Sequence, residues 1–411
     1  MTPCTLNPLA RSNTNIGPEI IPIIILGTLA GTITGLTPGI HPNTVVFISL
    51  PYYLQSSIGL TIYLAFIISI SVSHTFHDFL PAIFLHAPNA TTALSTIPGA
   101  KAVKNGKGLK AFQKTAKGGL TAIIFILILS PVLLLGLETV YSIISPHMFY
   151  ILFFFLIFAV INTEDIAKSL QLAAASGLLG IYSFNLPVNQ NFVLIPVFTG
   201  LFAVPAMTTA IREDTELPEQ EREFETDTTY FSGVIGALAG LIAGIVPGIG
   251  PAISTTFLTP ISRKKDDFIT ALGGVNSSDI VTSLLALYII GSPRSGASVA
   301  INQLTEISEG LMLKMTAVAL ISAILSYFIC LKVSYSYVDI IQKIDYRKVT
   351  AATLLLLISI TCLFTGLPGL LVLATASAIG FAARTHDQNA VVMSVLIIPA
   401  LLMFAGTGVI M

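Results

Sequence analysis

The chain has 411 residues, 54% hydrophobic and only 10% charged, with a mean hydropathy of +0.86. A soluble domain carries about a quarter charged residues, so this composition excludes an ordinary soluble fold and points to lipid as the solvent. A net charge of −1 gives no support to nucleic-acid binding, and Cys4, Cys330 and Cys362, without any CxxC, make no disulfide framework.

A helical crossing of the hydrocarbon core needs roughly 20 mostly apolar residues. In chain order, candidate spans fall near 20–37, 58–73, 118–137, 147–161, 168–186 and 191–211. A second set falls near 230–247, 277–292, 312–332, 349–366, 367–383 and 390–410. Only helices or closed barrels satisfy the backbone in lipid. Continuous runs are helical, whereas barrel strands alternate over about ten residues. The expected fold is therefore an all-α polytopic membrane protein with about 10–12 transmembrane segments. Residues 1–19 hold one Arg and no apolar core, so no cleaved signal is expected and the first apolar run is read as retained.

The chain repeats itself. Residues 27–51 read GTLAGTITGLTPGIHPNTVVFISLP and residues 236–260 read GALAGLIAGIVPGIGPAISTTFLTP, at a constant offset that keeps the glycines and prolines in phase. A weaker match pairs Ala87–Ala93 with Ser292–Ser298, each a proline followed by small polar residues. The expected organisation is a tail at 1–18, a first half at 19–210, an acidic linker at 211–229 and a second half at 230–411. Each half carries broken or re-entrant helices.

Loop charge suggests that the halves are inverted. Lys101, Lys104, Lys107, Lys110, Lys114 and Lys117 occur without an acid between them, which places 101–117 in the cytoplasm by the positive-inside rule. The matching segment near 303–314 has one Lys and two Glu. Conversely, the loop 51–58 is uncharged, and its counterpart carries Arg263, Lys264 and Lys265. Inversion requires an odd number of crossings per half, so one of the six candidates in each half should be re-entrant.

Two kinds of motif stand out. Gly27, Gly31 and Gly35, and again Gly236, Gly240 and Gly244, form flat stripes that suit close helix packing. The breaks Pro38-Gly39-Ile40-His41-Pro42 and Pro247-Gly248-Ile249-Gly250-Pro251 cannot continue a helix. Matched discontinuous helices point to a transport site, with free amides suiting an anion and free carbonyls a cation. The candidate site is Thr37, Pro38, Gly39, Asn43 and Thr44 in the first break, and Pro247, Gly248, Ser254 and Thr255 in the second. Asn89, Thr91, Thr92 and Ser295 are added from the later breaks.

Ionisable residues inside apolar runs are functional candidates by default. Asp78 and Asp279 can bind Na⁺ or relay protons, and Arg294 can pair with a substrate carboxylate. His74, His77 and His86 are read as satisfied histidines in preference to ligands. A metal site from His74, His77 and Asp78 would make an intramembrane enzyme, but no HExxH supports it. No catalytic residue, resident metal or organic cofactor is assigned. The six lysines fall near one helical face, suited to an anionic inner leaflet.

These motifs resemble the large membrane subunit of tripartite tricarboxylate transporters, the TctA family. The resemblance rests on GTLAGTITGLTPG and GALAGLIAGIVPG, on FLHAPNATTALSTIPGAKAVKNGKGLKAF at 84–112, and on GSPRSGASVAINQL in the second half. It implies a cation-coupled permease, a symporter for small di- or tricarboxylates, in the cell membrane. It also implies a small membrane subunit and an extracytoplasmic binding protein as partners. His74-Thr75-Phe76-His77-Asp78 and His86-Ala87-Pro88 depart from the family pattern and mark a divergent, archaeal-type branch. A carrier of a lipid-linked phosphate is the alternative, because helix N-termini also bind phosphate.

Overall fold

The computed structural model describes residues 19–89, 91–189, 192–212, 217–224, 230–246, 250–255, 265–386, 388 and 391–407. Among these residues the regular structure is helical throughout.

α1 (Ile20–Leu36) ends where Thr37 turns extended before Pro38, as the residue before a proline tends to do. Gly39 follows at φ +84°, a conformation that glycine alone adopts at little cost. Pro42, whose missing N–H costs nothing in a first turn, then starts α2 (Pro42–Leu54). α3 (Leu60–His77) lies beside α1 and runs the same way: Gly27 abuts Ser69, Gly31 abuts Ser73 and Gly35 abuts His77. Two parallel neighbours need a return between them. α2 supplies it, with Ser49 Oγ 2.9 Å from the Tyr63 hydroxyl and the Tyr53 ring stacked on Tyr63. α1 and α2 thus make a hairpin with its tip at 37–41. At about 1.5 Å per residue, α1 is roughly 25 Å long, short of a full hydrocarbon core.

α3 runs on through α4 (Phe79–Phe84), breaks, and resumes as α5 (Thr96–Lys104). The long α6 (Gly108–Ile144) continues through a 3₁₀ turn into α7 (Met148–Ile161), so that the predicted spans 118–137 and 147–161 lie on one helical run. α8 (Ile166–Phe184) follows. α9 (Leu194–Phe198) passes through a π turn at Thr199–Ala203 into α10 (Val204–Arg212).

The second half reuses this plan. α11 (Tyr230–Ile245) and α13 (Lys265–Ile290) pair in parallel, with Gly240 against Ser278 and Gly244 against Thr282. α12 (Pro251–Ser254) begins where the return would start. α14 (Gly296–Leu304) follows the later break, and α15 (Glu309–Lys343) matches α6. α16 (Tyr346–Thr385) contains Gly366 at φ +60°, ψ −155°, a region open essentially to glycine. Tyr346 and Arg384 line the same cavity, although a straight helix would hold them ~57 Å apart. α16 therefore folds back at Gly366, at the predicted boundary between 349–366 and 367–383. α17 (Ser394–Phe404) ends the described chain.

Among the described residues, six helical runs are long and apolar enough to cross a membrane: Leu60–Phe84, Gly108–Ile161, Leu194–Arg212, Phe268–Ile290, Glu309–Lys343 and Tyr346–Thr385. The side chain of Gln113, near the start of α6, donates to the Tyr335 hydroxyl near the end of α15 at 3.0 Å. The two equivalent helices therefore lie head to tail. Part of the acidic linker straps this end: Gln220 accepts from the Gly108 amide at 2.8 Å, Lys110 pairs with Glu221 at 2.6 Å, and Arg222 pairs with Asp339.

Buried apolar side chains form two main cores. One unites α1, α3, α4, the first part of α6, α13 and α15; the other unites α7, α8, α9, the second arm of α16, and α17. Each core draws on both halves of the sequence.

Candidate functional site

Asp78 sits where α3 meets α4, buried to 4% exposure. The Asn89 side-chain amide donates to Oδ2 at 2.9 Å, and Asn276 Nδ2 from α13 lies 3.1 Å from both oxygens. The Thr91 hydroxyl is more distant at 3.4 Å. Asn89 is itself held: its Oδ1 accepts from the Thr91 and Thr92 amides at 2.9 and 3.0 Å and from both hydroxyls. This local turn is the kind that Asn forms readily, and it aims the amide N–H₂ at the carboxylate.

All these donors are neutral. Among the described residues, the ionisable group facing the carboxylate is His74, whose Nε2 lies 3.7 Å from Asp78 Oδ2 and has no hydrogen-bond partner. Its Nδ1 is 3.1 Å from the Thr34 hydroxyl, which itself donates to the Gly31 carbonyl. With the hydroxyl proton so used, this hydrogen-bond pattern assigns the ring proton to Nδ1 and turns the Nε2 lone pair toward the carboxylate. A buried carboxylate without a fixed cation is costly. Two facing acceptors call for a proton or a small cation between them.

Asp78, His74 and Asn89 line a cavity of about 130 Å³ together with Thr37, Pro38, Gly39, His41 and Asn43 of the hairpin tip. Leu194, Phe198 and Thr199 of the α9–π-turn segment close the far side, with Leu357 of α16. The cavity thus lies between elements of the two cores. Its volume leaves room for several water-sized molecules. Gly296 of the second half packs directly on the Asn43 side chain, so the first hairpin tip meets the second half's later break.

A family model described as "Tripartite tricarboxylate transporter TctA family" matches residues 21–395. The chain belongs to this family. An uncharacterized protein of Methanocaldococcus jannaschii is similar to it, 30% identical over 404 residues that cover 93% of this chain and 98% of the relative. No solved structure matches. This TctA-family chain is accordingly a multi-pass transport protein and not an enzyme.

The TctA-family fold gathers some of the sequence-selected residues and disperses others. Thr37, Pro38, Gly39, Asn43, Asp78 and Asn89 share the cavity, and Thr91 and Thr92 hold Asn89. Thr44 caps locally through its amide to the His41 carbonyl at 3.0 Å and does not line the cavity. Asp279 is half-buried on α13, away from that cavity, and its carboxylate makes no hydrogen bond among the described residues. Through the stripe contacts Gly31–Ser73 and Gly240–Ser278, Asp279 occupies the position equivalent to His74, and Ser283 the position equivalent to Asp78.

Arg294 reaches the Tyr141 hydroxyl at 3.3 Å, with its Nε buried and unpartnered. Ser295 caps α14 in a reciprocal pair with Ser298. Ser254, the last residue of α12, and Thr255 after it are buried. Pro247, Gly248, Arg263 and Lys264 lie outside the described residues.

His77 donates from Nδ1 to the Ser73 carbonyl at 2.8 Å, which makes it a satisfied helix histidine. His41, Asn276 and the α9 segment escaped sequence selection. Asn276 carried a usable signal, a large polar side chain inside a helix long and apolar enough to cross a membrane. His41 was visible inside the break itself.

Proposed function

We propose that this chain carries a small di- or tricarboxylate across the membrane, coupled to Na⁺ or a proton held at Asp78. The observation that carries this reading is the buried Asp78 carboxylate, ringed by neutral amides and facing the unpartnered nitrogen of His74. The hairpin tip supports it. The C-terminal end of α1 presents carbonyls that favour a cation. By the sequence repeat, the second break, with Pro247, Gly248, Ser254 and Thr255, supplies the matching half of the substrate site together with Arg294 and Ser295.

The halves 19–210 and 230–411 act as an inverted repeat. The head-to-tail packing of α6 and α15 supports this, as does the odd number of traverses that follows once α1–α2 is re-entrant. In this topology the Lys-rich segment 101–117 faces the cytoplasm of a cell-membrane protein. Rocking of one core against the other opens the cavity alternately to each side. A small membrane subunit and an extracytoplasmic binding protein complete the assembly, as the tripartite family description suggests.

The test is uptake of labelled citrate and related di- and tricarboxylates into proteoliposomes, with imposed Na⁺ or proton gradients. Gradient-dependent uptake that is lost in Asp78→Asn is expected. Uptake unchanged in that variant would remove the coupling role from Asp78. An absence of carboxylate uptake with both partner subunits supplied would overturn the transport reading.

A further inference from the structure

A second cavity, of about 210 Å³, lies at the end of the molecule where α5, α10 and both ends of α16 meet. Lys101, Lys104 and Arg384 line it, with Tyr346 and Thr209, and no Asp or Glu does so among the described residues. Tyr346 is anchored by its hydroxyl to the Phe84 carbonyl at 2.7 Å. The cations come from different bodies. Lys101 and Lys104 ride on α5, which packs on α4 and α6, while Arg384 ends the second arm of α16.

Arg384 also reaches inward. It lines a small adjoining cavity of about 30 Å³ with Ala93, Leu94 and Thr96, the residues that follow the Asn89 turn. From Ala93 to Lys101 the helical rise is about 12 Å. No residue of α5 lines the Asp78 cavity and Asn89 does not line this one, so the two are distinct cavities, joined in sequence through the segment 89–101.

We propose that this cavity is a second anion site, a station for a multivalent carboxylate between the Asp78 cavity and the face that bears the Lys-rich segment. The proposal rests on the transport reading above. Clustered fixed cations match a ligand with two or three carboxylates better than a monovalent anion. Arg384 supplies the planar, two-pronged donor that carboxylate geometry favours. The phosphate of an anionic lipid headgroup offers the same chemistry, and the test separates the two.

Initial uptake rates against citrate concentration are measured for wild type, Arg384→Gln, Arg384→Lys and Lys101→Gln/Arg384→Gln, in vesicles of purely zwitterionic lipid. We expect KM to rise roughly tenfold in Arg384→Gln, because a charged hydrogen-bond donor is lost. It should rise further in the double variant and recover partly in Arg384→Lys, with half-saturating Na⁺ unchanged. An unchanged KM, a parallel shift in half-saturating Na⁺, or an effect seen only when anionic lipid is added would each overturn the proposal; the last assigns the cavity to a headgroup. Calorimetric citrate binding to the purified full-length chain gives a readout independent of transport. Binding weakened in the double variant supports the site even where the chain alone carries nothing, whereas equal binding in both proteins overturns it. Wild-type failure to transport with partners present sinks only the transport reading.

Discussion

Replacing Gly35 with alanine puts the helix-stripe geometry to a quantitative test. A Cβ on Gly35 would fall 2.6 Å from the His77 Cβ, 2.9 Å from the His74 carbonyl oxygen and 3.1 Å from the Asp78 amide. Ordinary contacts begin near 3.4 Å, so the end of α1 must back away from α3 by roughly half an ångström or more. Overpacking a well-filled interface of this kind costs about 1–3 kcal/mol, which is a five- to hundredfold loss in folding equilibrium. The same displacement moves Thr37 and Gly39 away from Asp78, so uptake should fall together with stability. Gly136 on α6 provides the control, because nothing lies within 4 Å of a Cβ there. Gly136→Ala should leave both readouts unchanged or slightly improve stability, since alanine is the better helix former. The assays are thermal unfolding in detergent and proteoliposome uptake. Equal unfolding midpoints for Gly35→Ala and wild type would refute the close parallel packing of α1 on α3.

Other outcomes follow from the same coordinates. Asn276→Ala removes one of two amides that stabilise the ionised Asp78, so the carboxylate should bind its proton more tightly by about 1.5–3 kcal/mol, read as a ten- to hundredfold fall in half-saturating proton concentration. Gly366→Ala should destabilise by about 1–3 kcal/mol, because the reversal of α16 needs a backbone conformation closed to side chains. Tyr346→Phe, which frees the Phe84 carbonyl, should cost about 0.5–1.5 kcal/mol in a detergent melt. In the loops, Lys110 holds the Glu221 carboxyl below its usual range, and the Lys168 amide does the same for Asp165. Groups with depressed folded values stabilise above their unfolded pKa, near 4, and lose that contribution as pH falls through the folded value. Stability should therefore be flat from pH 6 to 8 on their account and drop in acid; Glu221→Gln/Asp165→Asn should flatten that acid limb.

The sequence by itself determined the solvent, the helical class and the duplication, because each is a local or periodic property. Apolar runs dictate helices in lipid, and glycines four apart dictate close packing wherever they meet a partner. The prolines and Gly39 dictate a break at 37–42 in any surroundings. The sequence also predicted that one segment per half is re-entrant; only the tertiary structure shows that α1–α2 is a hairpin, which the proposed function takes as that segment in the first half. The hairpin follows from the parallel register of Gly27, Gly31 and Gly35 against Ser69, Ser73 and His77, a pairing across a gap of 42 residues.

The site was half legible for the same reason. Thr37, Gly39 and Asn43 announce themselves by the break, and Asp78 by its charge in an apolar run. That Asp78 and not Asp279 joins the hairpin tip, and that Asn276 and the Leu194–Thr199 segment close around it, depends on helices from both halves packing across one another. No periodicity records such long-range pairing, because a side chain's partner on another helix is set by packing and not by spacing along the chain.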